Sequence, residues 1–81
     1  MIQLRFAALL EKKRERDQFA WSFPEIHRQT GLPVTTISLW HSGKARVLTS
    51  TTIITLCEFL ECDVGDLIVY VEDEEAETIR G

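Results

Sequence analysis

A chain of 81 residues has room for one domain, and folding at that size hides only about 60 to 65% of the surface the unfolded chain exposes, so its core must be single and small. Hydrophobic residues at 44% and charged residues at 27% exclude a disordered chain, and no apolar run approaches the roughly 20 residues of a membrane helix; with no basic and apolar leader at the start, the expectation is a cytoplasmic globular protein with no membrane partner. The formal charge of −4 weighs against nucleic acid, whose binding is dominated by phosphate neutralisation, yet Ser22 to Leu48 sets Glu25 alone against Arg28, Lys44 and Arg46, and the middle is mildly basic.

In chain order, "MIQLRF" alternates Ile2, Leu4 and Phe6 with Gln3 and Arg5, which predicts a short strand. From Phe6 the period changes: Phe6, Leu9 and Leu10 fall at helical spacing, and the helix runs into the charged "EKKRER", where Glu11 can meet Arg14 and Lys13 can meet Asp17. In "WSFPEI", Ser22 followed three residues later by Glu25 makes a capping box, with Pro24 in the first turn and Trp21 and Ile26 as a hydrophobic staple. A helix from about Phe23 to Thr30 follows, and Gly31 stops it.

The stretch "GLPVTTISLWHSGKAR" is ambiguous, because β-branched Val34, Thr35, Thr36 and Ile37 favour a strand. Pro33 suits the first residue of a helix and Gly43 suits its end; between them Ile37 and Trp40 share one face, opposite Thr35, Ser38, Leu39 and Ser42. Those signals outweigh propensity differences of tenths of a kcal/mol per residue, and the stretch is predicted to be helical. Thr49 or Ser50 can cap the next helix, with Ile53, Leu56, Cys57 and Leu60 on its inner face, and Asp63 with Asp66 can cap a final turn. "IVYV" then pairs with "IQL" as an antiparallel ribbon, since a lone strand is unstable. Ile26, Leu32, Ile37, Trp40, Ile53, Leu56 and Leu60 are expected to be buried together. The domain is expected to span residues 1–71; the remainder, 72–81, collects Glu72, Asp73, Glu74, Glu75 and Glu77 and reads as a solvated, flexible acidic tail.

Cys57 and Cys62, five apart, read as reduced and mostly buried thiols, and with His27 and His41 they lack a CxxC or HxxxH pair, so no metal site is expected. No cofactor motif is present. No nucleophile with a base, paired carboxylates or phosphate loop has a recognisable spacing, which argues against an enzyme.

Two short helices joined by "TGL", with "TISLWHSGK" beyond, resemble the helix-turn-helix of the XRE or Cro/CI-like transcriptional regulators. Ile26, Leu32, Ile37 and Trp40 stand where that family places apolar residues, Gly31 stands in its turn, and Gly43 and Lys44 match the turn after its recognition helix. The resemblance implies an all-α bundle of about five helices closed by a small two-stranded ribbon, binding double-stranded operator DNA at an inverted repeat as a homodimer. There are three departures: His27 replaces an alanine where the two helices approach, Phe23 replaces a glutamine at the start of the first, and the linker around "RERDQFAW" is longer.

By motif position Val34, Thr35, Ser38 and Leu39, with Ser42 on the same side, would face the major groove. None can make the bidentate pairings of Arg with guanine or of Asn and Gln with adenine, which leaves the hydroxyls of Thr35 and Ser38 and apolar contact with thymine methyls from Val34 or Leu39. Lys44, Arg46 and the start of the Ser22-capped helix are phosphate candidates, with Arg28 a further one. The alternative is a helix-turn-helix used for protein association through Val34 and Leu39.

Overall fold

The computed structural model describes residues 1–72, so the acidic tail expected beyond them lies outside the described residues. The elements are β1 (Ile2–Leu4), α1 (Phe6–Asp17), α2 (Phe23–Thr30), α3 (Val34–Ser42), α4 (Ser50–Leu60), α5 (Val64–Leu67) and β2 (Ile68–Tyr70). The two strands pair antiparallel with Ile2 opposite Tyr70 and Leu4 opposite Ile68. The Arg5 N–H donates to the Leu67 carbonyl at 2.8 Å and the Val71 N–H to the Met1 carbonyl at 2.8 Å, so the ribbon is tied at both ends. The predicted class, five helices closed by a ribbon of the two terminal segments, is the observed one.

The core consists of Phe6, Leu10, Ile26, Leu32, Ile37, Trp40, Leu56, Leu60 and Leu67. Each helix contributes the residues that its period brings to one face, and Trp40 is the largest of the fully buried side chains. Ile53 corrects the expected set, because it is only half-buried and packs against the edge of this cluster. Both thiols are also half-buried rather than mostly buried, and both are free. Burial, and then the neighbouring Cys57, pushes the Cys62 thiol up to about 11, so it stays protonated and unreactive near neutral pH.

The caps follow the sequence with two differences. Pro33 is the N-cap of α3, extended at φ −58 and ψ 144, rather than its first helical residue. At α2 the Glu25 N–H donates to Ser22 Oγ at 3.4 Å, but the Ser22 hydroxyl itself donates to Glu25 Oε1 at 3.1 Å, so the reciprocal half of the expected box joins two side chains. Thr49 caps α4, accepting from the Thr52 N–H, and Asp63 and Asp66 form a complete capping box on α5.

The long linker between α1 and α2 is pinned rather than loose. The Arg14 guanidinium donates twice to the Trp21 carbonyl, at 3.2 and 2.7 Å, and the Trp21 indole donates to Asp17 at 3.0 Å. Lys13 closes the set, 3.1 Å from Asp17 and stacked over the rings of Trp21 and Phe59 at 5.3 and 4.8 Å. Trp21 therefore joins α1 to α4 through Phe59, whose ring it meets edge-on at 5.0 Å, a larger part than a local staple. Arg16 adds a second tie between these helices, 2.9 Å from Glu61.

Candidate nucleic-acid interface

The pair α2 and α3 is set by the turn between them. Gly31 takes φ +80, a left-handed conformation that costs an L side chain steric strain, and its N–H closes α2 on the His27 carbonyl at 2.7 Å. Thr30 ties the turn, donating to the Ile26 carbonyl at 2.7 Å and accepting from the Leu32 N–H at 3.2 Å, while the Leu32 side chain enters the core. The chain thus leaves α2 and enters α3 with its direction fixed at both sides of the turn.

Two departures from the family pattern find their physical reason here. His27 is exposed and its Nδ1 lies 2.7 Å from the Leu32 carbonyl, so the ring lies over the turn and out of the crossing. Phe23 packs edge-on against His41 at 5.3 Å, and His41 meets Phe6 at 6.2 Å. The start of α2 is thereby fastened to the end of α3 by aromatic contact, where a glutamine would have been free to reach a phosphate.

On α3, Ile37 and Trp40 are buried, and Val34, Thr35, Ser38, Leu39 and Ser42 are all exposed. Val34 at 40% and Leu39 at 47% exposure place sizeable apolar surface on the same outer face as the hydroxyls. Among the described residues the Thr35 and Ser38 hydroxyls have no protein partner, whereas the Ser42 hydroxyl donates to the Leu39 carbonyl at 3.1 Å and keeps only its acceptor capacity. The first turn of α3 has no side-chain cap, so its backbone donors stay open.

Gly43, at φ +78, ends the helix, and the N–H groups of Lys44 and Ala45 both fold back on the Leu39 carbonyl at 2.9 and 3.2 Å. That turn carries Lys44 and Arg46, both exposed, immediately beyond the outer face of α3. Neither is ion-paired with a carboxylate among the described residues. Arg28 is exposed on α2 and likewise has no carboxylate partner among the described residues. The start of α2 offers an anion little, since Pro24 has no N–H and that of Glu25 is taken by Ser22. Val47, 79% exposed, flanks a groove with Leu39 that the sequence does not signal, because no local periodicity marks a side chain displayed by an irregular turn.

Residues 13–73 match the family model of the Cro/C1-type HTH DNA-binding domain. The chain is similar to YozG of Bacillus subtilis (strain 168), an uncharacterized HTH-type transcriptional regulator, with 29% identity over 59 residues that cover 73% of this chain and 70% of that protein. It is also similar to the crystal structure of a presumed DNA-binding protein from Bacteroides fragilis, with a TM-score of 0.65 and 26% identity, covering 85% of this chain and 100% of the other. With the matched segment holding both helices of the motif and most of the core, the chain belongs to the Cro/C1-type helix-turn-helix family of DNA-binding transcriptional regulators.

Proposed function

We propose that this domain regulates transcription by laying the outer face of α3 in the major groove of double-stranded DNA, as a homodimer on an inverted repeat. The division of α3 supports this: Ile37 and Trp40 hold it in the core while Thr35, Ser38 and Leu39 stand exposed, and both hydroxyls are free of protein partners among the described residues. In this reading Thr35 and Ser38 hydrogen-bond base edges, and Val34 and Leu39 meet thymine methyls. Ser42 contributes as an acceptor at the helix end. Lys44, Arg46 and, from α2, Arg28 neutralise phosphates, as do the uncapped donors at the start of α3. Because hydroxyls and methyls discriminate modestly per contact, a large part of the selectivity falls to DNA shape and to the spacing of the two half-sites.

The test is a titration of duplex DNA by the native chain and by Lys44→Ala over a range of salt. Lys44→Ala is expected to weaken all sequences alike and to lower the slope of log K against log salt by about one. The exposed Val34, Leu39 and Val47 favour a second reading, docking of another protein on the same face. Failure of the native chain to bind any duplex, together with loss of a protein complex in Leu39→Asp, would replace the first reading with the second.

A further inference from the structure

The ribbon of β1 and β2 has two outer edges, and its hydrogen bonds decide which backbone groups those edges present. Met1 and Val71 bond to each other in both directions, at 2.6 and 2.8 Å, and the Arg5 N–H donates to the Leu67 carbonyl at 2.8 Å. Bonded and non-bonded pairs alternate along an antiparallel ladder, so Gln3 with Val69 is the bonded pair between these two. Ile2 with Tyr70 and Leu4 with Ile68 therefore turn their N–H and C=O groups outward. On the β2 edge the Ile68 N–H already donates to the Val64 carbonyl and closes α5. On the β1 edge the N–H and C=O of both Ile2 and Leu4 have no hydrogen-bond partner among the described residues. Ile2, Gln3 and Leu4 also lack the charges and prolines that commonly keep an exposed strand from pairing. Ile2 and Tyr70, on the face where Leu4 and Ile68 pack against the core, are 53% and 69% exposed.

We propose that the outer edge of β1 is the surface through which a second copy of this chain docks, strand against strand, about a two-fold axis at Gln3. This dimer is the one invoked in the DNA-binding reading above and rests on it. A two-fold axis across a strand edge makes the pairing antiparallel, and the outward groups then fix the register. With Gln3 opposite the partner's Gln3, the N–H and C=O of Ile2 meet those of the partner's Leu4, and those of Leu4 meet the partner's Ile2. An axis at Ile2 or at Leu4 would leave half of these groups unbonded. In the resulting four-stranded sheet Tyr70 and Ile2 stand in one row with the partner's Leu4 and Ile68, so the exposed apolar end of each ribbon is flanked by the partner's core-packed pair. The nearest charge, Arg5, comes beside the partner's Met1, at the end of the ribbon where Glu72 follows Val71. Three-residue strands bury less than the roughly 800 Å² per partner of a stable interface. The dimer is accordingly weak in free solution and is completed on DNA, where adjacent half-sites raise the local concentration of the two edges.

The experiment places Gln3→Cys in the full chain. A non-bonded antiparallel pair sets its Cα atoms about 4.5 Å apart, inside the range of about 4.4 to 6.8 Å that a disulfide accepts. With oxidised glutathione, which is reduced to two thiols as the two introduced thiols join, Gln3→Cys should give a covalent dimer roughly tenfold or more faster than Thr51→Cys, an exposed position on α4. The native chain reports any contribution of Cys57 and Cys62. In sedimentation equilibrium the native chain should dimerise with rising concentration. Ile2→Pro removes an outward donor and no ribbon bond, and should raise the dimer dissociation constant by about tenfold or more; Tyr70→Pro, the same change on the other edge, should leave it unmoved. Equal cross-linking of Gln3→Cys and Thr51→Cys, or equal effects of the two proline variants, would overturn the β1 pairing. A chain that passes both tests and binds no duplex would leave the pairing standing and refute the DNA reading, whereas one that selects an inverted repeat while failing them would refute the pairing alone.

Discussion

His27 Nδ1 lies 2.7 Å from the Leu32 carbonyl oxygen across the turn of the helix-turn-helix. A carbonyl only accepts, so Nδ1 must carry the hydrogen and the ring reaches from α2 to the residue after Gly31. A large side chain at a tight helix crossing is thereby converted into a clasp on the turn. His27→Ala removes that donor while gaining a few tenths of a kcal/mol of helix propensity, and a net loss of up to about 1.5 kcal/mol is expected in denaturant unfolding. A more stable His27→Ala protein would show that the crossing favours the smaller residue and that the bond does not hold the turn.

Trp40, at 1% exposure, is the largest side chain in the core. Its truncation to alanine should cost about 3 to 5 kcal/mol, a large fraction of the 5 to 15 kcal/mol typical of a whole domain. Equilibrium unfolding measures this directly. A cost below about 1 kcal/mol would contradict the register that turns Trp40 inward and Leu39 outward.

Asp17 offers a pH test of the linker. The Trp21 indole, and then Lys13, hold its carboxyl below the ordinary value of 3.8. A folded value below the unfolded one makes the contribution complete above 3.8 and lost as pH falls through the folded value. Carboxyl titration by NMR should place the Asp17 midpoint below 3.8, and Trp21→Phe should return it towards that value. An unmoved midpoint in Trp21→Phe would assign the effect to the neighbouring cations, Lys13 and Arg16.

Much of this arrangement was legible because its signals are local. Pro33 and Gly43 bracket α3 and override the β-branched run of Val34 to Ile37, and the two ion pairs expected in α1, Glu11 with Arg14 and Lys13 with Asp17, occur at 3.4 and 3.1 Å. The ribbon followed from pairing two segments that neither could stabilise alone. The less legible features depend on distant partners. Trp21 reads as a staple from its neighbours in sequence, but its place is set by Phe59 on α4. Ile53 has the right period for the core, yet it lies in the first turn of α4, where the helix leaves the cluster, and is only half-covered. Val47 and its groove arise from the path of a turn, which no periodicity encodes.

In the proposed function the outer face of α3 reads base sequence. Selection of bound sites from a random pool of duplex DNA tests it most directly, run in parallel with the native chain and with Thr35→Ala and Leu39→Ala. An enriched inverted repeat is expected for the native chain, and for each variant relaxed preference at particular base pairs, repeated symmetrically in both half-sites. No enriched sequence with the native chain, or the same enriched site with all three proteins, would contradict it.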